Sequence, residues 1–368
     1  MKFKVNRDKL LQPLQLACGV VERRQTAPIL SNLLILAQND RLVLTGSDEE
    51  VEITVTVEGV DVDSGGEITV PARKLMDICK SLPKAAYLTA NLDGARVQVD
   101  SGRFSSHLAT LPPAEFPSIQ TSVSSVSVPL TALQLQQLLQ RTSFAMAQQD
   151  VRYFFNGILF EINDGTVRLV ATNGQRLATS YIETGQETGK HQFIVPRKAI
   201  GELGRLLVGV AGESTINLEF TPNHLIIEVP GINLVTKLID ATYPDYSRAI
   251  PDKGNKVMLA DRQLLKGALS RTAILSNEIY RNVRLIMMPD KLDMHANNPQ
   301  QEEAEESLGM SYEGETLEIG FNVSYLIEAL SVMGGSQVRM TFSDANSACL
   351  LEDVDEMESL YVISPMML

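Results

Sequence analysis

Residues 195–207 read VPRKAIGELGRLL, and the same kind of stretch occurs twice more, as VPARKLMDICKSL at 70–82 and FNVSYLIEALSVM at 321–333. Each follows a strand-like run and continues with apolar residues at helical spacing. Leu75, Ile78, Cys79 and Leu82 mark one face of one stretch, and Ile200, Leu203, Leu206 and Leu207 one face of another. Pro71 and Pro196 suit the first turn of a helix, where the N–H that proline lacks would have no partner. With Asn322 as the third opening, these starts lie 125 and 126 residues apart. A fixed period of this kind marks a repeat architecture.

Two further sets keep the same rhythm. NRDKLLQPLQLACGVV (6–21), PLTALQLQQLLQRTSFAMA (129–147) and ADRQLLKGALSRTAIL (260–275) read as amphipathic helices, the first of them kinked or limited by Pro13. LLILAQNDRLVLTGSD (33–48), ILFEINDGTVRLVATN (158–173) and RLIMMPDKLDMHANN (284–298) place Asn-Asp, Asp-Gly or Pro-Asp between alternating runs, which is a hairpin signal. ARVQVDSG and HLIIEVPG add more strands. The chain therefore reads as three similar α+β domains, at 1–120, 128–247 and 248–368, each with two helices and many antiparallel strands. The joints, PPAEFPSIQTSVSSVSV and TYPDYSRAIPDKGNK, are rich in Pro, Ser or charge and share an aromatic-Pro pair, Phe116-Pro117 and Tyr243-Pro244.

Several classes of function lack support. Cys18, Cys79 and Cys349 are odd in number, far apart and set in apolar patterns, so they are expected as buried free thiols in a reducing cytoplasm. LLQPLQLACGV loosely resembles a lipoprotein signal, but Gln12, Pro13 and Gln15 interrupt it and Asp8 precedes it. No uninterrupted apolar run approaches the roughly 20 residues that span a bilayer. His107, His191, His224 and His295 are scattered without HExxH or nucleophile–base spacing, and no GxxxxGK[ST] phosphate loop occurs. The run Glu302, Glu303, Glu305 and Glu306 reads as a solvated acidic surface rather than a metal site. Neither catalysis nor a cofactor is expected. A tandem-domain scaffold or adhesion protein is weakened by the lack of a secretion signal and of disulfides.

Charge is distributed unevenly. The six helical segments carry twelve basic and five acidic residues, a balance of +7 in a chain whose net charge is −13, which leaves −20 for everything else. Exposed lysine and arginine are common on helices. The sharper reading is that the helices face one polyanion, binding phosphates without reading sequence, while an acidic exterior repels nucleic acid elsewhere.

The segments MKFKVNRDKLLQPLQ, PILSNLL, VPARKLMDICKSLP, QQDVRYFFNGILFE, VATNGQRLA, VPRKAI, YPDYSR, AILSNE, ANNPQQEEAEE and IGFNVSY, in this order, resemble the bacterial sliding clamps, the beta subunits of DNA polymerase III. The likeness covers essentially the whole length. It implies an α+β chain of three repeated clamp domains and a head-to-tail homodimer. The implied ring has six domains, with helices lining the hole and sheets outside. It also implies sequence-independent, topological binding of duplex DNA, loading by a separate ATP-dependent clamp loader, and docking of polymerase and other proteins through a short peptide motif. The protein itself would be non-catalytic, without a membrane partner.

Carried over residue by residue, the resemblance implies DNA contacts at Arg24, Arg73, Gln149, Tyr153, Arg197, Lys198 and Arg205. The implied dimer edge uses Phe104 and Leu108 on one chain and Ile274 and Leu275 on the other, with Ser106 where the family can carry a large aromatic. The implied peptide groove takes Arg152, Phe155, Thr172, Gly174, Gln175, Arg176, Leu177, Pro244 and Arg248, then Asn322, Tyr325, Asn346, Val362, Ser364, Pro365, Met366 and Met367. Gln175, Phe155, Ser364 and Met367 depart from the best-known pattern, and so bear on peptide preference. The uncharged end YVISPMML is expected as a last strand over Tyr361 to Ile363, stopped by Pro365, with two methionines along the groove.

Overall fold

The computed structural model describes residues 1–22, 27–185, 188–251 and 254–367. The chain forms two compact units, Met1–Leu133 with Lys198–Leu238 and Gln134–Arg197 with Ile239–Leu368. The polypeptide therefore passes from one unit to the other within the second repeat.

Six α-helices occur among the described residues: α1 Arg7–Gly19, α2 Ala72–Ser81, α3 Ala132–Thr142, α4 Arg197–Leu207, α5 Arg262–Thr272 and α6 Val323–Val332. They fall on the six predicted segments. Helix α1 runs through Pro13 without a break, with Asn6 as its N-cap accepting the Asp8 N–H. The predicted start at Pro129 is displaced. Val126–Thr131 is a strand, because VSVPLT alternates with period two and pairs along Thr215–Phe220. Pro71 and Pro196 close strands, one residue ahead of their helices.

In the first unit an eight-stranded antiparallel sheet runs Val126–Thr131, Thr215–Phe220, His224–Val229, Ile232–Lys237, Val51–Glu58, Arg41–Ser47, Asn32–Gln38, Gly66–Pro71. Its centre joins two repeats, with Leu234 opposite Ile53 and Ile232 opposite Val55. Helix α1 packs on Arg41–Ser47 and Val51–Glu58 and against α2. The approach is close: a Cβ on Gly46 would stand 2.0 Å from the Ala17 carbonyl oxygen, so only glycine fits. A five-stranded sheet ends in the edge strand Phe104–Ala109.

The second unit repeats the plan. Its nine-stranded sheet pairs Arg176–Glu183 with Ser359–Ile363, Arg176 facing Ile363 and Ala178 facing Tyr361. Leu177, Val362 and Ile363 are buried, and Tyr361 is among the largest fully buried side chains. The last strand thus completes a sheet, as the sequence of the end predicts. A four-stranded sheet has Glu303–Gly309 at one edge, and α5 packs against that strand and against α6.

The three thiols are free and buried, and burial pushes Cys18 up to about 12. Among the described residues no helix is long and apolar enough to cross a membrane, and no group of His, Cys, Asp and Glu is placed to hold a metal ion.

Candidate docking cleft and nucleic-acid face

The cleft lies in the second unit, and the turn after the strand Thr166–Thr172 builds its floor. Asn173 Oδ1 accepts the N–H groups of Gln175 and Arg176, both at 3.0 Å, and the Thr172 hydroxyl donates to the Arg176 carbonyl at 2.6 Å. Gly174 takes φ +87°, which a side chain would resist, and the Arg152 guanidinium lies over the space a Cβ would need.

Arg152 belongs to a second loop. Its Nε and a terminal nitrogen clasp the Asp150 carboxylate at 3.0 and 2.8 Å, and its guanidinium covers the Phe155 ring at 4.7 Å. The Arg152 hydrogen bonds hold the Asp150 carboxyl at about 2. Asn156 closes the loop by accepting the Asp150 N–H and donating to its carbonyl, both at 2.9 Å.

Between these loops opens an apolar cavity of about 150 Å³ lined by Phe155, Thr172, Gly174, Gln175, Arg176, Leu177, Val362 and Ser364, with Pro244 from the joint. Tyr243, Asp245, Tyr246 and Ala249 complete the wall. These four are not among the residues the sequence predicts for the groove, because TYPDYSRAIPDKGNK has the composition of a joint. The aromatic-Pro pair was the available signal. Behind the wall, Phe155, Leu177, Tyr243 and Val362 share one buried cluster.

A wider polar cavity of about 860 Å³ adjoins, sharing Gly174, Gln175 and Arg176 and adding Arg152, Tyr325, Gln149 and Arg197. Tyr325 donates its hydroxyl hydrogen to Gln175 Oε1 at 2.9 Å. Arg176 is fixed by an ion pair with Glu328.

Other expected groove residues stand elsewhere. Met366 and Met367 line a separate cavity with Tyr280, Asn282 and Pro299, and the Met366 N–H reaches the Gly320 carbonyl at 2.8 Å. Arg248 is exposed and paired with Asp245 at 3.1 Å. Asn322 caps α6, and Asn346 is exposed in a turn organised by Asp344. Pro365 is half-buried.

Of the expected DNA contacts, Arg24 lies outside the described residues. Gln149 and Tyr153 are exposed on the Asp150 loop, Gln149 with φ 56°. Arg73 donates to the Val21 carbonyl at 2.9 Å, and Arg197 to the Met146 and Ala147 carbonyls at 3.2 and 3.3 Å. Lys198 is paired with Glu22 at 2.6 Å and with Asp48, while Arg205 meets Glu202 at 2.6 Å. Burial pushes the Glu202 carboxyl up.

At the expected dimer edge, Phe104 and Ile274 are exposed, Leu275 is half-buried and Leu108 is buried. Glu303, Glu305 and Glu306 of the glutamate run lie in the strand Glu303–Gly309, where Glu306 meets Arg271 at 3.0 Å and Glu305 meets His295 at 3.1 Å.

Three family models cover the chain: the N-terminal, central and C-terminal domains of the DNA polymerase III beta subunit match residues 1–120, 130–245 and 247–367. The chain belongs to the DNA polymerase III beta subunit family. The beta sliding clamps of Pseudomonas putida and Escherichia coli are 47% and 43% identical to it, each over 100% of both chains. The crystal structure of the DNA polymerase III subunit beta from Pseudomonas aeruginosa superposes with a TM-score of 0.94 at 47% identity over 100% of both chains. A Pseudomonas aeruginosa sliding clamp bound to griselimycin gives 0.93 over the same coverage and identity. As a family member the chain is a non-catalytic DNA sliding clamp. It encircles duplex DNA and tethers the replicative polymerase.

Proposed function

We propose that the cavity walled by Phe155, Leu177, Pro244 and Val362 docks the hydrophobic anchors of a short linear peptide, and that polymerase, clamp loader and repair proteins attach there in turn. The observation that carries this is a contiguous apolar cavity set beside a polar channel. It has the shape and chemistry of a site for anchors on an extended segment. Gln175, Arg176 and Tyr325 would grade the fit of the flanking residues.

The three domains are placed at 1–120, 128–247 and 248–368. Two chains meet head to tail through Phe104 and Leu108 on one and Ile274 and Leu275 on the other, giving six domains around DNA in the cytoplasm. Arg24, Arg73, Gln149, Tyr153, Arg197, Lys198 and Arg205 touch the duplex. The exposure of Ile274, at 75%, supports a covered surface there in the assembly. Contacts stay few and salt-sensitive, because tight binding to many phosphates opposes sliding.

The test combines loading and tethering. With a clamp loader and ATP, the protein is expected to remain on a primed circle, slide off once the circle is cut, and raise polymerase processivity. Equal retention on circular and linear templates would overturn topological binding. Undiminished processivity with Leu177→Asp would overturn the cleft.

A further inference from the structure

We propose that Glu22 and Asp48 are built-in counter-charges for Lys198, which hold this cation away from phosphate and keep the clamp's grip on duplex DNA weak. The inference rests on the DNA-contact reading of Lys198 given above. Lys198 Nζ lies 2.6 Å from Glu22 Oε1 and is paired with Asp48 as well. Two carboxylates around one ammonium leave the group net negative.

The two carboxylates are held differently. Asp48 has only 6% of its side chain exposed. Its Oδ1 accepts the N–H groups of Glu50 at 2.9 Å and Val51 at 2.7 Å, which leaves Oδ2 fixed on Lys198. A charge so placed is little screened by salt. Glu22 is exposed, so its attraction is weaker and yields more readily. Asp48 is thus the permanent partner and Glu22 the exchangeable one.

The same arrangement recurs on α4. Arg205 is held by Glu202, whose carboxylate is almost wholly buried. The glycine at position 19 makes room for that carboxylate, since a Cβ there would stand 2.5 Å from Glu202 Oε2. Among the described residues, Arg73 and Arg197 are engaged by backbone carbonyls.

A phosphate that takes Lys198 must displace a carboxylate, so one anion replaces another and little free energy is gained. When the DNA advances, Lys198 returns to its carboxylates instead of standing uncompensated. Both effects lower the barrier between successive phosphate positions, which suits a protein that must slide.

The test is a cycle on the full-length dimer, using a short linear duplex at several salt concentrations. Glu22→Gln with Asp48→Asn removes both charges, and the asparagine keeps the Oδ1 acceptor that organises the turn. Binding is expected to tighten about fivefold. The slope of log affinity against log salt is expected to steepen by about 0.9, the value of one more phosphate contact. In a Lys198→Ala background both gains are expected to vanish. Unchanged affinity overturns the proposal. So does an equal gain in the Lys198→Ala background, which would mean general relief of repulsion. Glu22→Gln alone, at an exposed position, carries the same test if the double variant fails to fold. Loader-dependent retention on a primed circle is measured alongside: its loss in the unmodified protein defeats the clamp reading itself, whereas retention with a flat cycle defeats only the counter-charge.

Discussion

The Arg176 guanidinium lies 4.3 Å from the centroid of the Tyr325 ring and 5.2 Å from that of Phe144. Arg176 comes from the second repeat and Tyr325 from the third, and both line the polar cavity beside the cleft. The same guanidinium pairs with Glu328 and donates to the Phe144 carbonyl, with only 11% of the side chain exposed.

Arg176→Ala is therefore expected to weaken binding of a labelled clamp-binding peptide about tenfold. A cation–π contact contributes about 0.5–2 kcal/mol and a hydrogen bond to a charged group about 1.5–3 kcal/mol. The dimer should sediment unchanged, since Arg176 and its partners Tyr325, Glu328 and Phe144 are not among the expected dimer-edge residues Phe104, Leu108, Ile274 and Leu275. Fluorescence anisotropy gives the affinity, and a value equal to the unmodified protein's would remove Arg176 from the cleft's energetics.

Stability is expected to respond to pH through Glu52. Its carboxylate is half-buried and accepts the Ile119 N–H at 3.1 Å, and burial pushes its carboxyl above the ordinary 4.5. A raised folded-state value means that the folded chain holds the proton more tightly than the unfolded one. The contribution is then complete below the unfolded value and lost as pH rises through the folded value. At neutral pH the charged carboxylate works against folding. Glu52→Gln keeps an acceptor and removes the charge, so its Tm should exceed that of the unmodified protein at pH 7, and the gap should close as pH falls toward 4. Calorimetry across that range decides it. A lower Tm for Glu52→Gln at pH 7 would show that the Ile119 bond outweighs burial.

The helices were legible because their apolar faces recur at 3.6-residue spacing, a local property, and because their openings repeat at about 125 residues, a pattern visible along the chain without any contact. Pro13 misleads at first sight, because a proline in a helix usually marks an end, yet α1 continues past it. What stayed hidden depends on residues far apart. Nothing local in VPRKAI announces that Lys198 will meet Asp48, 150 positions away. Tyr243 and Tyr246 sit in a stretch of joint composition, and only folding carries them into the cleft wall. The methionine end reads as greasy and adaptable, but its backbone bond to Gly320 places Met366 at a neighbouring cavity.

Dimer formation is expected to hinge on the turn after α5. Ile274 is 75% exposed and Leu275 half-buried beside it, apolar surface that a monomer would leave in water. Leu275→Asp would bury a carboxylate without a partner on association, at a cost of several kcal/mol. Sedimentation velocity at micromolar concentration should show a monomer, while circular dichroism retains the helix and strand signature. A dimer of unchanged affinity would place the interface elsewhere.

The chain end supplies the last prediction. Ser359–Ile363 is locked between Arg176–Glu183 and Cys349–Asp353, and its pairing ends at Ile363. Beyond it the Ser364 N–H reaches the Gln175 carbonyl at 2.8 Å, and Ser364 lines the apolar cavity. Deleting Pro365 to Leu368 therefore removes no strand. It takes away the Met366 bond to Gly320 and the two methionines that line the separate cavity with Tyr280 and Pro299. The expected result is a dimer with native sedimentation and a Tm within a few degrees of the full chain, because under 2 kcal/mol is lost with one backbone hydrogen bond, about 2–4 °C in a chain of this size. Peptide binding should fall below detection in anisotropy, since Ser364 then ends the chain with a carboxylate at the mouth of an apolar cavity. Dissociation of the dimer on truncation would make the stretch structural. Undiminished peptide binding would confine the cleft to the residues before Pro365.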